Sequence, residues 1–288
     1  MNLLARLFDG WRHGFHEATS PLRIHDTLDD QWISLTPGQH ICLIGVSGAG
    51  KSTLVTGVLA GLRPEVDTGL ARIYGIDLKG GVELGRFGGY LAGMASTLDQ
   101  TIPMLEQLDH ELDRRMRLLR AEQRTHIRMS TTTPLILVVV DEAAELTGGI
   151  DKTTKQQQER ARVLLDRLLR LGRACQFTVL LASQDPRKEA MPLRDRCPVR
   201  IALRLNSIDE TKMLLGDSAV QAGAAPWLIG VREPGTGYLY DADQHKVIRF
   251  RVPNTPDRLI RRLRETHTRI DPPHDQPDET ETDDHADA

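Results

Sequence analysis

Short runs of consecutive hydrophobic residues alternate along this chain with longer segments in which hydrophobic residues recur every three or four positions. The short runs are typical of strands buried on both faces, and the longer segments are typical of amphipathic helices. The predicted strands cover residues 40–45, 71–77, 135–141, 177–184 and 199–205. The predicted helices cover about residues 52–62, 103–124, 156–172 and 256–266. This alternation predicts an α/β fold with a mainly parallel central sheet and helices on both faces.

Individual residues predict where some of these elements begin and end. Pro103 is expected to begin the long second helix, because proline is favoured at the first helical position. Gly172 is expected to end the third helix. A last hydrophobic pattern, over residues 235–252 with a turn near Asp241–His245, predicts a C-terminal β-hairpin.

The two ends of the chain differ from the central part in composition. Residues 1–16 place leucine and aromatic side chains at helical spacing, with arginines off that stripe. Such a helix either contacts a membrane surface or membrane protein, or packs on the main domain or a neighbouring subunit. Residues 269–288 are acidic and non-aromatic, which predicts disorder. We expect a reduced lead-in segment over residues 1–37, a main domain over 38–252, a helix over 253–268 and this tail.

Net charge, cysteine spacing and the length of apolar runs indicate which partners and which cellular compartment suit this protein. The net charge is −3, but residues 271–288 contain eight acidic side chains and no Lys or Arg, which leaves residues 1–270 at +5. A mildly basic body permits a polyanionic partner. The three cysteines have no C-x-x-C spacing, which fits a reducing cytoplasm. The longest apolar run, Leu135–Val140, is too short to span a bilayer. We expect a cytoplasmic protein, with residues 1–16 as its contact to the inner face of the membrane if one exists.

The stretch GVSGAGKST follows the first predicted strand and precedes the first predicted helix. In that context the pattern G-x-x-x-x-G-K-[ST] predicts a phosphate-binding loop. Lys51 is expected to reach the β- and γ-phosphates, and the Ser52 hydroxyl to ligate Mg²⁺. Backbone N–H groups at the start of the helix hold the remaining phosphate charge. The expected nucleotide-binding residues are Gly45, Val46, Ser47, Gly48, Ala49, Gly50, Lys51, Ser52 and Thr53.

Two carboxylates follow the predicted strand LILVVVDE. Strand ends beside a phosphate loop are where ligands bind in open α/β sheets. Asp141 fits the carboxylate that assists Mg²⁺, and Glu142 fits the base that deprotonates the attacking water. The alternative for Glu142 is an acid that only favours a helix N-terminus. A GTPase or a kinase needs no such pair, so the pair favours an ATP hydrolase.

Four sequence segments, which follow one another in a characteristic order along the chain, indicate the class of ATPase. A transporter ATPase of the ABC class would need an LSGGQ-like signature before the second motif, and residues 120–134 lack one. The four segments instead resemble the motor domain of the FtsK/SpoIIIE family of DNA-pumping ATPases, and in particular the short FtsK-like transfer proteins of conjugative plasmids and integrative elements. They are IYGIDLKGGVEL, VVVDEAAEL, LLRLGRACQFTVLLASQDP and CPVRIALRLNSIDETKMLLGD. The resemblance spans about residues 38–252.

The resemblance implies a RecA-like P-loop NTPase that forms a homo-hexameric ring around double-stranded DNA, with ATP between subunits. Gln184 matches the family's polar sensor of the γ-phosphate, with a capping or surface role as the alternative. Arg173 matches the arginine presented to the neighbour's ATP, which can accelerate hydrolysis about 10³–10⁵-fold. The alternative for Arg173 is a solvated residue at a helix end. Arg115 is the second candidate for the trans arginine.

Two departures from the family pattern affect DNA and nucleotide contacts. The usual T-Q-R-P reads Ser183–Pro186 here, with Asp185 at the basic position. Nearby basic residues are candidates to replace it as DNA phosphate contacts, and the alternative is a solvated charged loop. Lys212 stands where the family has an arginine, and lysine lacks the planar guanidinium. The candidate DNA contacts are Arg187, Lys188, Arg194 and Arg196.

Three functions remain open at this point. The leading hypothesis is an ATP-driven DNA translocase that serves transfer of a mobile element. The second is the motor of a specialised protein-export system, and the third is a non-hydrolysing, ATP-binding regulatory subunit. We expect backbone contacts to DNA, because the chain has no room after residue 252 for the winged-helix DNA reader of chromosomal members.

Overall fold

A computed structural model describes residues 20, 22–147, 149, 151–187 and 189–267. The strands are β1 (Arg23–Asp26), β2 (Gln31–Ser34), β3 (Ile41–Ile44), β4 (Ala71–Asp77), β5 (Gly93–Ala95), β6 (Leu135–Asp141), β7 (Phe177–Ser183), β8 (Val199–Leu203), β9 (Thr236–Asp241) and β10 (Lys246–Arg251). The α-helices are α1 (Lys51–Gly61), α2 (Arg63–Asp67), α3 (Leu98–Ala121), α4 (Lys152–Leu171), α5 (Ile208–Leu215), α6 (Asp217–Gln221) and α7 (Asp257–His267). The predicted helix of residues 1–16 and the acidic tail lie outside the described residues.

The central sheet has eight strands in the order β10-β9-β8-β3-β7-β6-β4-β5. The six strands from β8 to β5 are parallel, whereas β9 and β10 form an antiparallel hairpin at one edge. The predicted α/β fold with a mainly parallel sheet and a C-terminal hairpin is confirmed. Strand β7 lies between β3 and β6, so the ends of these three strands meet at one edge of the sheet.

Hydrophobic side chains cover both faces of the sheet. Within β3, Cys42 and Ile44 belong to one buried cluster, and Ile41 and Leu43 belong to the other. This alternation follows from the two-residue period of a strand. The first cluster is closed by leucines of α3 and α4, and the second by leucines and valines of α1. The expectation of helices on both faces is confirmed, and the sheet is rigidly held between them.

The hairpin β1–β2 was not expected from the sequence. Its side chains Ile24 and Ile33, with the flanking Leu22 and Leu35, are buried in the cluster that also contains α1. In β1 the buried Ile24 and Asp26 alternate with half-buried residues, whereas in β2 only Ile33 is buried. Such short strands carry too few residues for a clear alternating pattern, which is why the hairpin escapes detection.

The start of α3 differs from the prediction. The helix begins at Leu98, where the Thr97 side chain accepts a hydrogen bond from the Gln100 backbone N–H, and Pro103 lies inside it. The expectation that Pro103 begins the helix was wrong. A threonine cap satisfies a free N–H at the helix start, whereas Pro103 only removes the donor that the Asp99 carbonyl would use.

Candidate functional site

The phosphate-loop sequence connects β3 to α1 at the carboxyl edge of the sheet. Gly48 and Gly50 adopt positive φ angles of 72° and 100°, which are accessible to glycine at little cost. The backbone N–H of Ala49 donates to the Val46 carbonyl at 3.0 Å, and Lys51 Nζ donates to the Gly45 carbonyl at 2.8 Å. These hydrogen bonds close the predicted loop into one turn, and the Lys51 side chain bends back to Gly45, the first residue of that turn.

Gly50 has a close neighbour that the motif alone does not predict. A Cβ atom at Gly50 would lie 2.3 Å from the backbone nitrogen of Gly235, which precedes β9. That nitrogen donates to the Ala49 carbonyl at 2.8 Å. The segment before the C-terminal hairpin thus packs directly against the loop, and this close backbone contact requires glycine at position 50.

Asp141 and Glu142 end β6, one strand away from the phosphate loop. Asp141 pairs in register with Asp77 of β4, so a second carboxylate stands beside it. Glu142 is only 5% exposed and has a left-handed backbone, with φ 56° and ψ 66°. This conformation is costly for a residue with a side chain and is held by its surroundings.

Three donors fix the Glu142 carboxylate. Its Oε1 accepts hydrogen bonds from Ser183 Oγ at 2.6 Å and from the Gln184 backbone nitrogen at 3.2 Å. Its Oε2 forms an ion pair with Lys79 Nζ at 3.2 Å. Strands β6 and β7 run side by side, which is what brings Glu142 to Ser183. The carboxylate is therefore oriented by both neighbours of β6.

The local charges shift three pKa values. Burial, followed by the charges of Asp77, Glu83 and Glu142, raises the pKa of Asp141 to about 6. Burial lowers the pKa of Lys51, although Glu142 and Asp141 oppose that shift. Burial also raises the pKa of Glu142, but the hydrogen bonds from Ser183, Gln184 and Lys79 outweigh it and the net pKa is lowered. Glu142 is thus ionised well below neutral pH, whereas Asp141 loses its proton only near pH 6.

The raised pKa of Asp141 gives a pH-dependent stability. The folded state keeps the Asp141 proton up to about pH 6 and the unfolded chain loses it near pH 3.8, so stability falls as pH rises through this window. We expect Asp141→Asn to raise the thermal midpoint at pH 8 by at least about 2 °C, and to change it little at pH 4. Calorimetry of both proteins without nucleotide at the two pH values measures this. A destabilised Asp141→Asn variant at pH 8 would contradict the pKa.

Gln184 and the basic loop follow β7. Gln184 is exposed and stands level with Gly45, because Ile44 and Ser183 pair in register. The Arg187 guanidinium is 69% exposed and makes a forked pair with Asp185. The hydrogen bonds of Arg187 lower the pKa of Asp185. The acid that departs from the family pattern therefore holds Arg187.

The remaining DNA-contact candidates differ in accessibility. Arg194 is only 11% exposed and donates through Nη1 to the Pro186 carbonyl, so its interpretation as a surface phosphate contact was wrong. Its guanidinium holds the loop backbone instead. Arg196 is half-exposed and pairs with Asp166 of α4 at 3.0 Å. Lys188 lies outside the described residues.

Arg173 lies at the opposite edge of the sheet from the phosphate loop. It sits in the turn Gly172–Cys175 before β7, and a side chain at Gly38, which precedes β3, would meet its carbonyl oxygen at 2.5 Å. The seven residues of β7 separate it from Ser183 by about 20 Å. Its guanidinium is 55% exposed and pairs with Asp243 at 3.0 Å. It borders an open pocket of about 560 Å³ that is also lined by Arg120, Arg124 and Arg170.

Arg115 is buried and cannot reach a neighbouring subunit. Its side chain is 0% exposed, donates to the carbonyls of Pro134 and Cys175 at 2.8 Å each, and pairs with Glu111 at 2.7 Å. It also lies over the Phe177 ring at 5.0 Å. The structure thus contradicts Arg115 as a trans arginine, because it is a structural residue that ties α3 to the starts of β6 and β7.

Removal of Arg115 should be costly. We expect Arg115→Ala to lower the free energy of unfolding by about 3–5 kcal/mol, because two buried carbonyls lose their donor and Glu111 loses one of its two arginines. The matched control is Arg114→Ala, since Arg114 binds the same Glu111 while 41% exposed, and it should cost less than about 1 kcal/mol. Urea unfolding measures both. Equal stability of the two variants would contradict the structural role.

Three residues of this region were missed by the sequence reading. Ser183 and Lys79 bind Glu142, and Arg204 donates to the Ser47 carbonyl at 3.1 Å. Ser183 and Arg204 stand at the carboxyl ends of the two strands beside β3. Because both residues stand at the ends of predicted buried strands, the sequence could have identified them as residues of this site. Nothing in the sequence reveals that Lys79 reaches Glu142.

Residues 23–133, which include the phosphate loop and β4, match the model of the FtsK/SpoIIIE family. This part of the chain is therefore similar to FtsK/SpoIIIE-family proteins. The transfer protein TraSA of Streptomyces ambofaciens is 28% identical over 234 residues, which cover 75% of this chain and 55% of TraSA. This chain thus spans about half the length of that relative.

Solved structures share the fold of this chain. The pCW3 conjugation coupling protein TcpA, in monomer form with ATPγS, is 23% identical with a TM-score of 0.72, over 88% of this chain and 72% of TcpA. The cytoplasmic domain of the type VII secretion ATPase EccC from Thermomonospora curvata is 20% identical with a TM-score of 0.64, over 89% of this chain and 32% of EccC. In the part of the chain that the structure describes, no helix is long and apolar enough to cross a membrane.

Proposed function

We propose that this protein is an ATP hydrolase that moves double-stranded DNA during transfer of a mobile genetic element. The observation that carries the proposal is the Glu142 carboxylate, buried and ionised beside a complete phosphate loop in a chain similar to FtsK/SpoIIIE-family proteins. The likeness to proteins named for transfer and for conjugation coupling supports the choice of substrate.

ATP would bind at the phosphate loop through Gly45–Thr53. Lys51 would leave the Gly45 carbonyl and neutralise the β- and γ-phosphates. Ser52 and Asp141 would hold Mg²⁺, which supplies charge stabilisation to the phosphates in the transition state. Hydroxyl and carboxylate oxygens are ligands that Mg²⁺ prefers. Binding of the cation would also lower the raised pKa of Asp141, since a positive charge favours the ionised form.

Glu142 would act as the general base. Its Oε1 is held by Ser183 and the Gln184 backbone, so Oε2, whose partner is Lys79, is the oxygen that would take a proton from water. The Gln184 side chain, exposed at the same edge, would sense the γ-phosphate. These groups orient the water and receive its proton without any covalent intermediate on the protein.

Arg173 would complete a neighbour's site rather than its own. It lies at the far edge of the sheet from the phosphate loop, beside three further arginines that line the same pocket. A surface of this charge is suited to the phosphates of a nucleotide bound to an adjacent copy. We therefore propose a homo-hexameric ring in which each ATP lies between two subunits.

DNA would be held through its phosphates. Arg187, Lys188 and Arg196 are the proposed contacts, and binding should weaken steeply with salt and depend little on sequence. We place the motor in the cytoplasm, with residues 1–16 as a peripheral contact to the membrane or a membrane protein. Asp185 would have to release Arg187 before DNA binds it.

A protein-export motor is the second candidate function. The similarity of the fold to a secretion ATPase supports it. A third candidate, a non-hydrolysing regulator, would be unaffected by Glu142→Gln. An export motor would be stimulated by a secreted peptide and retain its rate without DNA.

The test is the ATPase rate with and without double-stranded DNA at low salt. We expect stimulation by DNA of any sequence, loss of stimulation at high salt, and no response to a secretion-signal peptide. Absence of stimulation by DNA would refute the proposal, and stimulation by the peptide alone would favour export.

A further inference from the structure

The ion pair between Lys79 and Glu142 has one buried end and one exposed end. The Glu142 side chain is 7% exposed, whereas the Lys79 side chain is 46% exposed. Lys79 belongs to the segment after β4 that resembles the family pattern, and neither the catalytic roles nor the DNA contacts proposed above use it. The pair occupies Oε2, the oxygen that the general base needs.

A turn that is held by hydrogen bonds to Asp77 places Lys79 beside Glu142. The Asp77 carboxylate, 1% exposed, accepts hydrogen bonds from the backbone nitrogens of Lys79 at 3.2 Å, Glu83 at 3.0 Å and Leu84 at 3.3 Å. Gly80 and Gly81 make the turn possible with φ angles of 86° and 72°. The backbone of the turn is fixed, so only the flexible lysine side chain moves when the ion pair breaks.

We propose that Lys79 restrains the Glu142 carboxylate in the DNA-free protein, and that phosphates of bound DNA release it by taking the lysine ammonium. An ammonium bound to Oε2 occupies one lone pair of the oxygen that must accept the water's proton, and it obstructs the approach of that water. The exposed ammonium is accessible from solvent to a polyanion, and the buried carboxylate is not. Lys79 is therefore a positioning residue that couples DNA contact to hydrolysis. This inference rests on the proposed DNA-stimulated ATPase.

Removal of the Lys79 ammonium should change the DNA-free rate of ATP hydrolysis more than the DNA-stimulated rate. We expect Lys79→Met to raise the DNA-free kcat several-fold, leave KM for ATP unchanged, and bring the ratio of stimulated to basal rate close to one. Lys79→Arg keeps the charge, and it should keep the basal rate low. Lys246→Met removes another exposed lysine, from β10, and should match the wild type in both rates.

The measurement is steady-state ATP hydrolysis by the full-length variants, with and without double-stranded DNA, with thermal midpoints to verify folding. If Lys79→Met lowers the basal and the stimulated kcat together, or leaves the basal kcat unchanged, the restraint is refuted. A wild type that DNA does not stimulate would refute the proposed function instead. A raised basal kcat in Lys79→Met that DNA still stimulates as in the wild type would overturn the coupling to DNA.

Discussion

Glu142→Gln is expected to slow ATP hydrolysis by about 10²–10⁴-fold, the usual contribution of a general base. Glutamine keeps the size of the side chain and an oxygen that can accept from Ser183 and Gln184, so the fold and the affinity for ATP should be preserved. The side chain loses its capacity to take a proton and the negative charge that pairs with Lys79. Single-turnover hydrolysis and nucleotide binding, measured on the same preparation, separate the two effects.

Glu145→Gln is the matched control for this variant. Glu145 lies in the same short turn after β6 but is exposed, and its side chain should not affect the rate. If Glu142→Gln retains the wild-type rate, Glu142 is only a structural carboxylate that orders the ends of β6 and β7. Absence of ATP hydrolysis in the wild type as well would instead favour the non-hydrolysing regulator.

Arg173→Ala is expected to reduce ATP hydrolysis about 10³–10⁵-fold, because a trans arginine stabilises charge that develops in the transition state. The loss should appear only where subunits associate, since Arg173 lies across the sheet from its own phosphate loop. Arg160→Ala is the control. Arg160, on the preceding helix α4 but outside the pocket that Arg173 borders, is half-exposed and ion-paired with Glu106, and its removal should cost less than about tenfold.

Mixing of two inactive variants decides whether the site is shared. Arg173→Ala subunits have an intact phosphate loop, and Lys51→Ala subunits have an intact arginine. Rings that contain both should regain hydrolysis, because some interfaces combine the two intact halves. Mixtures that remain inactive, together with a monomeric protein at working concentration, would show that Arg173 acts only within its own chain or as a solvated residue.

The sequence predicted the parts of this structure that rest on long or unambiguous patterns. The parallel strands, the C-terminal hairpin and the phosphate loop between β3 and α1 all follow from runs of apolar residues and one complete motif. Parallel strands end together at one edge of their sheet. The meeting of Gly45, Asp141 and Gln184 at this carboxyl edge therefore follows from the strand order. These features are local, or they follow from topology alone.

The features that escaped prediction depend on contacts between distant segments. Lys79 reaches Glu142 across 63 positions of the chain, and Gly235 supports Gly50 from the far hairpin. Arg115 looked like a surface arginine of a charged helix, and its burial depends on the carbonyls of Pro134 and Cys175. Residue type alone does not distinguish such a buried arginine from an exposed one, because both occur on amphipathic helices.

ATP-driven movement along double-stranded DNA tests the central claim most directly. A third strand bound in the major groove of a linear duplex reports such movement when a motor displaces it. The account predicts displacement by the wild type with ATP, and none by Glu142→Gln or Arg173→Ala at equal protein concentration. ATP hydrolysis by the wild type without displacement of the third strand, at salt concentrations where DNA is bound, would contradict it.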